Sequence, residues 1–274
     1  GKAVMDCAKQ WNCRLLTYVS SAGIYNPGEF TSFPMTEKDT PIKESAGQAK
    51  YEQHALNQGL PLVSFRPQYI YGPNANKHDY IDWYFDRIVR GLPLVIPAYG
   101  NQKVSLTNSE DVASLLASVL NDEEAAKEQV YFNCGTDQLL SYIEVGYLCA
   151  EAAGVKREDV NVELYNGSLY GKAKFPFRLK DFYVSPTMAK KKLGWEGPKH
   201  SLKDDLGWYF ENYKARGGPT RKLDLGMDWE IVVGSKTFIC DEYMSVYDEW
   251  DPLEIDTSDV NHIKLPDRLL DRKD

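Results

Sequence analysis

No apolar run in this chain of 274 residues approaches the roughly 18 residues that a helix needs to cross a bilayer, so no membrane span is expected. Cysteine is sparse. Cys7, Cys13, Cys134, Cys149 and Cys240 are odd in number and never form a Cys-x-x-Cys, which fits thiols in a reducing compartment and excludes a disulfide framework. Cys7 and Cys13 have no convincing partners for a metal, so no metal site is nominated. His54, His78, His200 and His262 are isolated in sequence, and none can be named as a general base. Residues 1–16 lack a basic-then-apolar leader with a small-residue cleavage site and are not read as a secretory or transit peptide. Also missing is any Gly-x-x-Gly-x-x-Gly turn of the kind that cradles a dinucleotide pyrophosphate at a helix start.

The charge is acidic, at -8, but unevenly spread. Residues 224–274 hold five basic and 14 acidic side chains, which leaves 27 basic and 26 acidic in residues 1–223. The body is therefore near neutral. Within it, residues 169–222 carry 13 basic against five acidic residues, among them Lys172, Lys174, Arg178, Lys180, Lys190, Lys191 and Lys192. This stretch is the candidate polyanion face, interleaved with Tyr165, Tyr170, Phe175, Phe177 and Tyr183 on which unpaired bases could stack. Its plain alternative is a solvated surface.

Apolar, β-branched and aromatic runs at 17–25 and 65–73 break into small, Gly and Pro residues, the pattern of buried strands that empty into loops. A helix from Ser45 to Gln58 lies between them, with Ser45 placed as its cap and Gly59 as its stop. Strand, helix, strand is the unit of a doubly wound α/β fold. Further helices are expected at 2–10, 80–90, 111–120 and after Ser201, with strands at 14–19, 91–97, 130–133 and 159–164. Ser141-x-x-Glu144 reads as a capping box closed by Gly154, and Ser185-Pro186 opens a short helix that ends at Gly194. Trp83, Tyr84 and Phe85 are read as core residues ahead of base-stacking ones.

Val19-Ser-Ser-Ala-Gly-Ile-Tyr25, Arg66-Pro-Gln-Tyr-Ile-Tyr-Gly-Pro73, Gly91-Leu-Pro-Leu94, Glu110-Asp-Val-Ala113, Phe132-Asn-Cys-Gly135 and Leu193-Gly-Trp-Glu-Gly-Pro198 follow the order found in extended short-chain dehydrogenase/reductases, which the chain resembles. The resemblance implies a Rossmann-like parallel sheet with a smaller substrate-type lobe, built here mainly from about 71–100 and 155–200. It also implies a substrate-polarising role for Ser21 and a Tyr-x-x-x-Lys acid-base pair. Lys50 stands at the lysine position, but the tyrosine position is Ala46, and Tyr51 points some 140 degrees away around the helix. Lys50 is then either a retained catalytic residue or a solvated helix lysine, and Ser21 either a polarising group or a loop hydroxyl.

Ser45-Ala-Gly-Gln-Ala-Lys-Tyr-Glu52, Ser64-Phe-Arg-Pro-Gln-Tyr69, Asn76-Lys77 and Trp83-Tyr-Phe-Asp-Arg-Ile-Val-Arg90 are similar to the chloroplast stem-loop-binding proteins, atypical members of that superfamily. The resemblance covers about residues 1–215. It implies RNA as partner, a stromal location, and endoribonuclease activity that would use Mg2+. Arg66, Tyr71, Asn76 and Lys77 would line the cleft that holds nucleotide diphosphates in related enzymes. NAD(P) is expected only if an amino-terminal half, absent from these residues, binds it; an incomplete piece of a longer protein is expected ahead of a chain that borrows sheet partners. An accessory subunit of a plastid assembly and a working sugar-nucleotide epimerase or dehydratase are the competing readings.

Gly217-Gly-Pro219 breaks the chain, and residues 1–218 are taken as the reductase-like domain. Residues 219–274 form the acidic arm, whose Trp229, Phe238, Tyr243, Tyr247 and Trp250 could anchor on a protein partner or on the arm's own domain. Homo- or hetero-oligomers are both left open.

Overall fold

The computed structural model describes residues 1–97, 99–136 and 138–237. Most of the arm, from Phe238 to Asp274, therefore lies outside the described residues.

Helix α1 (Lys2–Gln10) leads into strand β1 (Leu16–Val19), helix α2 (Gly47–Asn57) and strand β2 (Leu62–Pro67). Then come β3 (Ile70–Tyr71), α3 (Asp79–Ile88), β4 (Leu94–Pro97), β5 (Lys103–Val104), β6 (Thr107–Asn108), α4 (Ser109–Ser118), α5 (Glu123–Gln129) and β7 (Tyr131–Cys134). The remainder is β8 (Leu140–Ser141), α6 (Tyr142–Ala152), β9 (Val162–Tyr165), α7 (Gly167–Tyr170), α8 (Thr187–Leu193), α9 (Leu202–Ala215) and α10 (Gly226–Thr237).

β1, β2 and β7 form a parallel sheet in that order, with Val19 opposite Phe65 and Phe65 opposite Phe132. Every residue of β2 is buried, because helices cover both faces of the sheet. On one face Val63, Phe65 and Phe132 pack with Val112 and Leu115 of α4 and Leu193 of α8. On the other, Leu62 meets Met5 and Ala8 of α1 and Ala55 of α2. The α/β class and parallel sheet expected from the strand-helix-strand pattern are present.

The second core is aromatic. Tyr84 and Phe85 of α3 pack with Tyr142 of α6, Tyr209 and Tyr213 of α9, and Phe175 and Phe177 of the loop after α7. Trp83, Tyr84 and Phe85 are core residues, as their spacing indicated. β4 pairs in parallel with β9 beside this core, and helices α6 and α9 belong to it as well as the segments at 71–100 and 155–200.

Helix ends follow their local chemistry. Ser141 and Glu144 form the expected capping box, and Ser201 accepts from the Asp204 N–H. Ser45 does not cap α2. The N-cap is Ala46, which offers no side-chain acceptor, so this helix start is held by packing instead. Gly72 has φ +149, and a Cβ there would come within 2.9 Å of the Ser109 Cβ, so only glycine closes the turn after Tyr71.

The described start of the arm folds onto its own domain. Ile231 and Val232 of α10 are buried against Val95 and Tyr165 on the β4–β9 pair.

Candidate nucleic-acid interface

β1 ends at Val19, and the chain turns through Ser20 and Ser21 into a short 3-10 turn, Ala22–Ile24. The Ser21 Oγ accepts the Gly23 N–H at 3.0 Å, the behaviour of a loop hydroxyl. Lys50 lies exposed on the first turn of α2. Tyr51 is committed elsewhere, its ring stacked on Tyr18 at 4.2 Å between centroids. Tyr25 donates to the Asn133 Oδ1 at 2.7 Å and accepts from Arg66 at 3.1 Å, and burial pushes its pKa up to about 12. Among the described residues, the phenols of this loop and helix, Tyr25 and Tyr51, are engaged elsewhere and Ala46 offers only a methyl, so these side chains do not form a Tyr-x-x-x-Lys proton relay.

Two of the expected cleft residues are structural. Arg66 is 2% exposed, and its guanidinium donates to Glu52 at 2.7 and 3.1 Å and stacks on Tyr131 at 4.0 Å. Glu52 also accepts the Ser64 hydroxyl at 2.7 Å, so the ion pair ties α2 to β2 and keeps the guanidinium buried between them. Tyr71 is likewise buried, donating to Asp205 at 2.7 Å; Asn108 and Trp208 donate to the same carboxylate and so fasten α9 to β3 and β6. These hydrogen bonds hold the Asp205 pKa below the usual carboxylate range although burial raises it.

Asn76 and Lys77 are exposed on the loop before α3. There, the start of α3 and the 172–176 loop enclose a cleft of about 480 Å3, lined by Lys77, Tyr80, Trp83, Lys172, Lys174 and Arg221, with Phe175 beneath. Lys77 lies 5.2 Å from the Tyr80 ring centre, and Tyr80 stacks over Phe177 at 6.0 Å. Asp79 and Asp86 also line it, and Asp79 pairs with Lys77 at 3.6 Å, so four cationic and two anionic side chains share the cleft above its aromatic floor. Among the described residues no group of three or more His, Cys, Asp or Glu side chains is placed to hold a metal ion.

The structure divides the basic segment. Lys172 and Lys174 meet Lys77 at this cleft, whereas Arg178 lies 3.8 Å over Phe182 and reaches the Gly23 carbonyl at 3.4 Å, beside Ser21. Lys180 is exposed, and its carbonyl accepts from Tyr142. Lys190, Lys191 and Lys192 form the last turn of α8, where the helix dipole favours cations, and α8 packs on the sheet rather than on the cleft. Three expected stacking rings are spent in packing: Tyr165, Phe175 and Phe177 are 3%, 2% and 0% exposed. Tyr170 and Tyr183 are half-buried.

Sequence reasoning missed Tyr80 and Arg221. Arg221 is held by Asp82 at 3.0 Å and by Asp86, while Arg216 pairs with Asp82 at 2.9 Å. The signal available was the 82/86 spacing, two carboxylates four apart on an otherwise aromatic helix. His78 sits at the head of α3 with its pKa lowered, first by burial and then by Arg216. The folded state thus binds fewer protons than the unfolded chain, so stability should fall as pH drops through the window below the ordinary histidine value. A His78→Gln variant should flatten that part of a melting-temperature profile; an unchanged profile would remove His78 from it.

Residues 1–135 match the family described as NAD dependent epimerase/dehydratase family. The match spans just under half of the chain. Over 225 residues, 80% of this chain, it is 31% identical to the chloroplast stem-loop binding protein of 41 kDa b of Arabidopsis thaliana, and it spans 57% of that relative's length. The UDP-glucose 4-epimerase of Thermotoga maritima, solved with UDP-glucose, shares the fold at a TM-score of 0.59 and 21% identity, over 77% of this chain and 67% of that one. UDP-glucuronic acid 4-epimerase from Bacillus cereus, solved with NAD, gives 0.61 at 16% identity, over 78% and 66% of the two chains. At these identities the epimerases speak for the fold alone.

Proposed function

We propose that this chain is a plastid RNA-binding protein on an atypical reductase scaffold. The observation that carries it is the cleft that Lys77, Lys172 and Lys174 share with the Tyr80 ring, on a chain similar to a protein named for stem-loop binding. Lysines there neutralise phosphates and release counterions, and a ring at the mouth offers a face to an unpaired base. Magnesium-dependent cleavage of stem-loop RNA is the activity proposed with it; no general base is assigned.

The test follows retention and cleavage of a labelled stem-loop RNA by the full protein, with and without magnesium, across a salt series. Salt-sensitive binding is expected. The Lys77→Ala/Lys172→Ala double variant should weaken binding regardless of sequence and flatten the log-log salt slope by about 1 to 1.5, near 0.7 per lost single-strand phosphate contact. Unchanged affinity and slope in the variant would move the RNA surface away from this cleft. An absence of binding at low salt would end the RNA reading, and intact RNA in every magnesium lane would end the nuclease one.

A further inference from the structure

Two cleft lysines already have anionic partners, Lys77 with Asp79 at 3.6 Å two residues on, and Lys174 with a carboxylate from a distant segment. The Lys174 ammonium pairs with the carboxylate of Asp224, on the segment that leaves α9 and returns as α10. That segment is fastened on both sides of the contact. Arg221 is clamped by Asp82 and Asp86, and Asp228 in the first turn of α10 accepts from Arg87 at 2.8 and 2.6 Å. Asp224 itself is exposed, and its other oxygen accepts the Gly226 N–H at 3.2 Å, which sets the start of α10. A carboxylate is thereby held at the place where a bound phosphate would meet Lys174. The sequence beyond Leu223 is the acidic part of the chain.

We infer that Asp224 is an intramolecular competitor for the polyanion cleft: it occupies Lys174 in the free protein and must be displaced when RNA binds. This rests on the RNA reading above and adds to it a built-in brake. The polyelectrolyte consequence is distinctive. A lysine that neutralises a phosphate releases a counterion from the nucleic acid. When that lysine must first leave Asp224, the cost of opening the exposed pair falls as salt rises, which offsets part of that dependence. Lys174 thus contributes a shallower salt dependence than an unpaired lysine would. An exposed pair of this kind is individually weak, so RNA can open it.

The experiment uses the full chain with Asp224→Asn, which keeps an oxygen for the Gly226 N–H and removes the charge. The same stem-loop RNA is titrated across the salt series, with the melting temperature as a check on folding. Asp224→Asn is expected to raise low-salt affinity about three- to fivefold, the worth of an exposed pair, and to steepen the salt slope by a fraction of the roughly 0.7 of one phosphate contact. In a Lys174→Ala background the same change should alter neither quantity, which separates release of Lys174 from a general loss of negative charge. If wild type binds RNA and Asp224→Asn leaves affinity and slope where they were, the competitor is refuted and the RNA site stands. The same holds if the gain persists without Lys174. If neither protein binds RNA, the functional reading fails and the inference falls with it.

Discussion

Replacing Glu52 by alanine is expected to lower the unfolding free energy by about 3–5 kcal/mol, the cost of stranding a buried charge. The Arg66 and Glu52 side chains are each 2% exposed, so the guanidinium left behind would be a buried charge without its carboxylate. The loss extends beyond the pair, because the Ser64 hydroxyl and two Arg66 N–H groups all donate to that carboxylate. Thermal denaturation should show a fall on the order of 10 °C for a chain of this size. The double variant Glu52→Leu/Arg66→Met tests the mechanism: with no charge left to strand, it should recover much of the loss. A single variant as stable as wild type would mean that Arg66 finds another partner.

Asp82→Ala is the second large effect, about 2–3 kcal/mol in chemical denaturation, smaller than for the fully buried pair because Arg216 and Arg221 are 28% and 39% exposed. Asp82 is 1% exposed and accepts from the Tyr209 hydroxyl at 2.9 Å, from Arg216 twice at 2.9 Å and from Arg221 at 3.0 Å. Its removal leaves two guanidinium groups facing one another beside an aromatic core, with Asp86 as the remaining carboxylate for Arg221. The damage should be local first. Amide hydrogen exchange is expected to quicken in 216–228 before it does in β2, because those arginines connect the segment to α3. Equal acceleration everywhere would contradict this account.

The scaffold was readable from sequence because its signals are local. Alternation into Gly and Pro at 19–25 and 67–73 marked strands that end in loops, and Ser141 with Glu144 marked a helix start that the structure reproduces. Family resemblance added the order of those pieces. The site was legible only in part, since charge and ring content say nothing about partners distant in sequence. Arg66 reads like a cleft arginine until Glu52, 14 residues earlier, is seen to face it across the α2–β2 packing. Phe175 and Phe177 resemble a stacking ladder, yet alternate residues of an irregular loop turned their rings into the core formed by α3 and α6. Ser45 lost its capping role by one residue, a shift too small for propensity to resolve. Lys77, Lys172 and Lys174 meet only because the lobe folds two distant loops together.

Helix α2 carries a wider implication. Its inward residues, Ala49, Glu52 and Ala55, are the ones that seat it, while Lys50 faces solvent and Ala46 stands at its lip. Anchoring and solvent-facing positions thus occupy different sides of one short rod. A tyrosine can be absent from the lip while the rod keeps its seat, so on this framework an activity can be erased or rewritten without renegotiating the architecture beneath it.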